Sequence, residues 1–264
     1  MNKDKERHLK EFKVDTITLS YPRDYYIAIK ECLVFDVYRT DLLKEGDAVM
    51  DLGATVGEFT IPASKKVGDS GLVIAVEPNP EDFELLIENL NRNKCRNVIA
   101  VNKGVASEVT EREITFMGKS FKAQLDTLEN IVHNIRLNRD INFLKMDIEG
   151  YEIDVISTHS NIIKNADIIS IELHGSKNEI DRILEKYGFN FKPVTAGYCI
   201  KKLLKSSLSP ARRHLVGAIF DTISRNPRLL YKLLLGYKMG ERKDESTKTN
   251  LTIGAYMRGD QRGN

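Results

Sequence analysis

Between about residues 47 and 198, short apolar segments alternate with longer segments that have the periodicity of a helix. The apolar segments, each a predicted strand, are AVMDLG (48–53), LVIAVE (72–77), VIAVNK (98–103), INFLKMD (141–147), IISIELH (168–174) and NFKPV (190–194). In PEDFELLIENLNRN (80–93), apolar residues recur at i, i+3, i+4 and i+7, which indicates one face of a helix. Continuously apolar strands that alternate with amphipathic helices are typical of a parallel sheet covered by helices on both faces.

The chain around this alternation divides into four segments. We predict an N-terminal cap (1–46), a core domain (47–200), a basic helical insertion (201–248) and a last strand with a tail (249–264). Alternating polarity in Asn250–Met257 predicts a strand that rejoins the sheet. The alternative is a sheet of six strands followed by a disordered basic tail.

Shorter elements are predicted with less regular patterns. In the cap, we expect a strand at Val14–Leu19 and a loosely amphipathic helix at Tyr25–Leu43. In the core, two short strands are expected at EITFM (113–117) and near Ala123–Leu125. The further helices predicted for the core are 58–67, 126–138, 149–157 and 180–187.

Composition excludes several classes of protein. With 41% hydrophobic and 30% charged residues, the 264-residue chain can form a core, which excludes wholesale disorder. No apolar run approaches the ~18 residues that a membrane-spanning helix needs. The segment Met1–Lys13 lacks the pattern of a secretory signal, and Cys32, Cys95 and Cys199 lie too far apart for a CxxC motif. We therefore expect free thiols and a cytoplasmic protein.

The most informative motif is VMDLGATVGEFT (49–60), in which a strand ends in Asp51 and small residues precede a helix. Gly53, Ala54 and Gly57 would let the backbone approach a ligand and point amides at an anion. A structural turn without a ligand is the alternative. The spacing differs from the GxGxxG pattern that binds a pyrophosphate, which disfavours NAD and FAD.

An acidic residue follows at the end of the next strand. Glu77 comes 26 residues after Asp51, where a doubly wound fold uses an acid to accept hydrogen bonds from ribose hydroxyls. A solvated loop carboxylate is the alternative. Because the pyrophosphate pattern is missing, S-adenosylmethionine fits better than a dinucleotide.

Two further strand ends contain residues that can transfer protons. Asp147 and Glu149 follow the fourth strand, and His174 ends the fifth, at the edge where open α/β sheets bind ligands. Glu152 is explained by the preference for acids at the start of a helix. A lone histidine is more often structural than catalytic, but its ordinary pKa suits a general base.

These motifs together resemble the FkbM-type methyltransferases over roughly residues 30 to 198. The matching segments are MDLGATVGEFT (50–60), VEPNP (76–80), LDTLENI (125–131), FLKMDIEGYE (143–152) and IELHG (171–175). The resemblance implies a class I, Rossmann-like methyltransferase with a seven-stranded, mostly parallel sheet in the order 3-2-1-4-5-7-6. It also implies S-adenosylmethionine as cofactor and, usually, a hydroxyl oxygen as methyl acceptor.

Carried over residue by residue, the resemblance implies which positions form the site. The cofactor residues would be Asp51, Gly53, Ala54, Thr55, Gly57, Glu77, Pro78 and Asn79. Thr55 stands where the family more often has asparagine, and its hydroxyl can still form a hydrogen bond. Asp147 and Glu149 would line the floor beneath the methyl group.

An aliphatic hydroxyl acceptor needs a base within ~3 Å. Our candidate is His174, with Asp147 or Glu149 as the next choice or as its orienting partner. Three convergent metal ligands are not evident, so we predict no metal. We expect an acceptor hydroxyl on a glycan or another small metabolite; the alternatives are an RNA methyltransferase and a cofactor-binding protein without catalysis.

The C-terminal quarter differs in charge from the rest. Residues 1–200 contain 26 Lys and Arg against 33 Asp and Glu, a net charge of −7, whereas residues 201–264 contain 14 against 5, a net charge of +9. Two amphipathic helices are predicted within 205–240. They either pack on the domain as a lid or also contact an anionic membrane, at about 1 kcal/mol per Lys or Arg.

Overall fold

The computed structural model describes residues 9–158, 160–174, 177–195, 198–199, 201–202 and 251–258. The strands are β1 (Leu9–Val14), β2 (Ile17–Pro22), β3 (Ala48–Leu52), β4 (Leu72–Val76), β5 (Val98–Val101), β6 (Gly104–Val105), β7 (Thr110–Phe116), β8 (Lys119–Asp126), β9 (Phe143–Met146), β10 (Ile168–His174), β11 (Phe189–Pro193) and β12 (Leu251–Arg258). The α-helices are α1 (Tyr26–Lys30), α2 (Thr60–Val67), α3 (Pro80–Arg92), α4 (Leu128–Asn134), α5 (Glu152–Ser157), α6 (Asn161–Asn165) and α7 (Lys177–Glu185). None of the helices in these residues is long and apolar enough to cross a membrane.

The central sheet has seven strands in the order β11-β12-β10-β9-β3-β4-β5. If these seven strands are numbered 1 to 7 in chain order and the sheet is read from β5, the order is 3-2-1-4-5-7-6, as predicted. Strand β12 lies antiparallel between β10 and β11, with Ser170 opposite Ala255. The predicted last strand is therefore part of the sheet, and the alternative of six strands with a free tail is wrong.

Both faces of this sheet are buried, which explains the continuous apolar runs. All five residues of β3 are buried. Met50 and Leu52 point into a cluster with α5, α6 and α7, while Val49 packs on the opposite face with Phe59 and Phe143. Burying each large apolar side chain stabilises the fold by about 1.5–3 kcal/mol.

The N-terminal segment differs from the prediction. The predicted strand at 14–19 spans the turn of a hairpin in which β1 and β2 pair antiparallel, with Asp15 at φ 51°. The predicted helix over 25–43 breaks into α1, a π-helical turn and a 3-10 turn, because Asp36 and Arg39 have positive φ. The Asp36 carboxylate accepts from the backbone N–H and the hydroxyl of Thr40, both at 2.6 Å, which stabilises the break.

The chain segment between β5 and α4 forms a second sheet of three strands in the order β6-β8-β7. The two short strands expected there are longer than predicted and form the β7–β8 hairpin, whose turn contains Met117 and Gly118 at positive φ. Helix α5 begins at Glu152, and Glu149 precedes it in a loop at φ 52°. The hairpin and the N-terminal segment both project over the carboxyl ends of the central strands.

Candidate functional site

A cavity of about 350 Å³ lies at the carboxyl ends of β3, β4, β9 and β10. One wall comes from the N-terminal segment, including Tyr25 and Tyr38, and another from the β7–β8 hairpin, including Phe116. The rings of Tyr25 and Phe116 lie 6.0 Å apart, so the two walls meet. The cavity is thus enclosed by segments on which the sequence placed no functional residue.

The glycine turn after β3 forms the floor of one end. Gly53 has φ 79°, and a Cβ there would lie 1.9 Å from the carbonyl oxygen of Asp147. Its N–H donates to the Val76 carbonyl at 3.0 Å. Only glycine therefore allows the turns after β3, β4 and β9 to approach this closely.

Asp51 lies beneath this turn and not in the cavity. It is fully buried; its Oδ2 accepts from the Thr60 hydroxyl at 2.6 Å and its Oδ1 lies 3.1 Å from Lys145 Nζ. Lys145 also donates to the Gly53 carbonyl at 2.6 Å. Burial raises the pKa of Asp51 although Lys145 opposes that shift. The predicted direct contact of Asp51 with the cofactor does not fit this placement, because its oxygens face protein groups.

Glu77 connects the glycine turn to the start of α3. Its two oxygens accept from the backbone N–H groups of Thr55 and Asn79, each at 2.8 Å. The side chain is 6% exposed and lines the cavity, and burial raises its pKa to about 8. Hydroxyl donors from a bound ribose would stabilise its ionised form.

Five of the eight predicted cofactor residues line the cavity, and three do not. Those that line it are Gly53, Thr55, Glu77, Pro78 and Asn79. Asp51, Ala54 and Gly57 lie behind them. Gly57 packs against Leu86, which a Cβ would approach to 2.9 Å, so its role is in packing the turn on α3.

The other end of the cavity contains Asp147, Glu149 and Glu172. The Tyr38 hydroxyl lies 2.7 Å from Asp147 Oδ2 and 2.7 Å from Glu172 Oε2. Glu172 and Tyr38 were missed by sequence reasoning. Glu172 is two residues before His174 and so on the same side of a strand, a signal that could have found it; Tyr38 has no such signal.

His174 lies outside the cavity lining, between two carboxylates. Its Nδ1 is 2.9 Å from Glu152 Oε1 and its Nε2 is 3.4 Å from Glu149 Oε2. Burial lowers its pKa, but the bonds to Glu149 and Glu152 outweigh burial and raise the pKa to about 11. An acid at each nitrogen favours the imidazolium form, and an imidazolium cannot accept a proton. The prediction of His174 as general base does not fit this geometry.

Asp147 is better placed to accept a proton than His174. It lines the cavity, and only its Oδ2 is bonded to Tyr38; no described residue donates to Oδ1. One potential metal-ligand atom from each of Asp147, Glu149 and His174 lies within 4.8 Å of the other two. This convergence is not evident from the sequence. A cation bound there would have to displace the proton that the two neighbouring acids favour on His174. Metal independence stays our prediction.

The pattern that defines the methyltransferase FkbM domain matches residues 51–191, a little over half of the chain. The chain belongs to the FkbM methyltransferase family. Its fold is the Rossmann-like α/β fold of class I methyltransferases. The cavity fits S-adenosylmethionine, the cofactor predicted from the sequence, because the buried carboxyl of Glu77 and the turn at Gly53 line one end of it.

Relatives of this FkbM methyltransferase differ in what they act on. It is 25% identical to the hexuronic acid methyltransferase AglP of Haloferax volcanii over 152 residues, 52% of this chain and 60% of the relative. It is 33% identical to a tRNA(Phe) (4-demethylwyosine(37)-C(7)) aminocarboxypropyltransferase of Methanocaldococcus jannaschii over 128 residues, 41% of this chain and 51% of the relative. The chain thus spans 60% or less of the length of these two relatives.

A solved structure shows the same fold. Trm5b of Pyrococcus abyssi superposes with a TM-score of 0.50 at 14% identity, covering 96% of this chain and 56% of that chain. At this identity the likeness concerns the fold alone.

Proposed function

We propose that this enzyme methylates the oxygen of a hydroxyl group on a neutral glycan or small metabolite. The charge of the cavity carries the proposal. Its described lining contains eight acidic residues, namely Glu31, Glu58, Glu77, Asp82, Glu113, Asp147, Glu149 and Glu172. The same lining has two lysines, Lys103 and Lys145, and both are ion-paired, with Asp126 at 2.5 Å and with Asp51 at 3.1 Å.

An anionic cavity selects its ligands by charge. It attracts a cofactor with a sulfonium and an ammonium group, and it disfavours acceptors with phosphate or carboxylate groups, whose interaction with fixed carboxylates is unfavourable in a partly dry site. Even when Glu77 and Glu172 are protonated, the remaining carboxylates outnumber the ammonium groups. This favours a neutral hydroxyl compound over an RNA or a hexuronic acid.

In the proposed mechanism, the residues of the chain position the acceptor and remove its proton. When bound, S-adenosylmethionine supplies an activated methyl group. Asp147 Oδ1 takes the proton of the acceptor hydroxyl, since Asp147 lines the cavity and no described residue donates to this oxygen. Lys145 keeps the glycine turn in place through the Gly53 carbonyl. Holding both reactants in one enclosed cavity raises the rate of methyl transfer through proximity and orientation.

The test uses acceptors that differ in charge alone. Neutral hexosides, each paired with its 6-carboxylate, are offered together with an unmodified tRNA transcript, and transfer of labelled methyl from S-adenosylmethionine is measured. We expect the neutral hexosides to have the highest kcat/KM. A preference of tenfold or more for the carboxylates or for tRNA would overturn the proposal.

Variants show whether turnover comes from this cavity. We expect Asp147→Asn to lower turnover by about 10²-fold or more while cofactor binding, measured by calorimetry, stays close to wild type. Asp140→Asn changes an exposed aspartate outside the cavity and should leave both unchanged. Wild-type turnover by Asp147→Asn would remove Asp147 from the mechanism.

The basic segment supports a second candidate, an RNA methyltransferase. Apart from residues 201–202, the predicted insertion 201–248 lies outside the described residues, so its net positive charge has no assigned position relative to the cavity. RNA binding that falls steeply with salt would favour this candidate.

The predicted membrane contact through 205–240 also lies outside the described residues. Pelleting with anionic but not neutral liposomes, abolished by deleting 205–240, is its test.

A further inference from the structure

Tyr38 forms an unusual pair of contacts at the acceptor end of the cavity. Its hydroxyl lies 2.7 Å from an oxygen of Asp147 and 2.7 Å from an oxygen of Glu172. A phenol has one hydrogen, so it cannot donate a full hydrogen bond to both carboxylates. The second contact is a hydrogen bond only if that carboxyl carries a proton of its own. The three side chains therefore share two protons, one from the phenol and one on a carboxyl.

The surroundings favour Glu172 as the carboxyl that carries this proton. Burial and the charge of Asp147 raise the pKa of Glu172 to about 8. The hydrogen bond with Tyr38 lowers the pKa of Glu172, Glu31 of the π-helical turn raises it, and His174 of the same strand lowers it, but burial and Asp147 outweigh the two lowering effects. With the proton on Glu172, that carboxyl donates to Tyr38 Oη, and the Tyr38 hydroxyl donates to Asp147 Oδ2.

The fold keeps these groups in register. Strands β9 and β10 are parallel neighbours with Ile171 opposite Met146, so Glu172 and Asp147 follow side by side. Tyr38 is 4% exposed, and its ring packs edge-on against Phe59 at 6.1 Å. Lys145 Nζ lies 5.1 Å from the centroid of the Tyr38 ring. The phenol is therefore fixed with its hydroxyl between the two acids.

We infer that Tyr38, itself oriented by Glu172, is a positioning residue that aims the free oxygen of Asp147 at the acceptor hydroxyl. The inference rests on the proposed function, since it assigns Asp147 the role of base. Donation from Tyr38 occupies Asp147 Oδ2 and leaves Oδ1 for the proton of the acceptor. The proton of the acceptor hydroxyl would go to Oδ1 as the carbon–oxygen bond forms and the methyl carbon–sulfur bond breaks, with the electron pair of the broken bond staying on the sulfur of the demethylated cofactor.

This arrangement has a pH dependence that a merely structural network lacks. When Glu172 ionises, two carboxylates compete for the single hydrogen of Tyr38, and Asp147 loses its fixed orientation. We therefore expect kcat to fall as the pH rises above about 8. Glu172→Gln keeps a donor toward Tyr38 and removes the ionisation, so the decline at high pH should disappear.

The first measurement does not need turnover. In protein carrying carboxyl-¹³C glutamate, we expect a resonance that titrates above neutral pH, is lost in Glu172→Gln and shifts in Tyr38→Phe. Glu58 and Glu77, whose pKa values are raised to about 7 and about 8, give their own resonances, which are assigned by Glu58→Gln and Glu77→Gln. If Glu172 titrates at the ordinary pKa of a glutamate, the inference is wrong, whether or not any acceptor is methylated.

The second measurement is kinetic. We expect Tyr38→Phe to lower kcat by about 10²-fold with KM changed only a few-fold, and Glu172→Gln to stay within about tenfold of wild type at pH 7. Tyr256→Phe is the matched control, because Tyr256 is also buried and bonded to a carboxylate, Asp181 at 2.5 Å, but lies outside the cavity lining. Wild-type kcat in Tyr38→Phe, or equal losses in Tyr38→Phe and folded Glu172→Gln, would overturn the positioning role.

These readouts separate the two proposals. If no hydroxyl acceptor is methylated by the wild type but Glu172 titrates as expected, the proposed function fails and the shared-proton arrangement stands. If hydroxyl acceptors are methylated but Tyr38→Phe matches wild type, the proposed function stands and the positioning role fails.

Discussion

The two ends of the cavity are built in different ways. At the cofactor end, Glu77 accepts from backbone N–H groups of Thr55 and Asn79, and Gly53 packs directly on the backbone after β9. At the acceptor end, contacts run between side chains, with Tyr38 between Asp147 and Glu172. The cofactor end depends on backbone shape, whereas the acceptor end depends on protonation states. The first therefore tolerates few substitutions near its glycines, and turnover depends on pH through the second.

Lys145 belongs to both ends, and replacing it should have the largest effect. Lys145→Met leaves the fully buried Asp51 without its counter-charge, which costs about 3–5 kcal/mol of the free energy of unfolding. Chemical denaturation measures this loss. The double variant Asp51→Asn, Lys145→Met should recover part of it, because no buried charge remains. A single variant as stable as wild type would show that Asp51 is neutral in the folded protein.

Gly53→Ala tests the dependence of the cofactor end on backbone shape. The new Cβ would meet the Asp147 carbonyl at 1.9 Å, and φ is 79°. We expect a loss of about 3 kcal/mol in the free energy of unfolding, together with weakened cofactor binding. Gly188→Ala is the control, since Gly188 has φ 81° with nothing within 4 Å, and should cost only about 1 kcal/mol. Equal losses would mean that the close approach at Gly53 is unimportant.

A pH titration of stability probes the buried acids at the cofactor end. The pKa of Glu77 is raised from 4.5 to about 8 and that of Glu58 to about 7, chiefly by burial. A raised carboxyl pKa means that the stabilisation is present below 4.5 and is lost as pH rises through the folded-state value.

Without cofactor, we therefore expect the free energy of unfolding to fall between pH 5 and pH 9, by on the order of 2 kcal/mol. Glu77→Gln should reduce the slope. Saturating S-adenosylmethionine should reduce it as well if ribose hydroxyls bond the ionised carboxylate. Stability that rises over this range would contradict the placement of these acids.

Removal of metal ions should have the smallest effect. Although Asp147, Glu149 and His174 converge, His174 is held as an imidazolium by its neighbours. We expect full turnover after EDTA treatment, and no gain when Mg²⁺ or Mn²⁺ is added back. Loss on chelation with recovery by one of these ions would show that the cluster binds a metal instead of a proton.

The sequence alone determined the central sheet and most of the cofactor end. Apolar runs such as AVMDL report burial on both faces, and the last strand is visible in the alternation of Asn250–Met257. Gly53 and Glu77 were found because they adjoin strand ends in chain order, where local backbone chemistry restricts the residue type. The sequence did not reveal the role of Asp51, because an acid at a strand end can point either into a cavity or beneath it.

Only the tertiary structure decided the acceptor end. Asp147 comes 109 positions after Tyr38 in the sequence, and Glu172 comes 134 positions after it. No spacing rule connects residues whose contact depends on a broken helix in the cap and on the pairing of β9 with β10. The state of His174 was hidden for the same reason: its ordinary pKa suggested a base, whereas its partners Glu149 and Glu152 make it a cation. Protonation depends on the charges that surround a group in space, and these are set by the assembled fold.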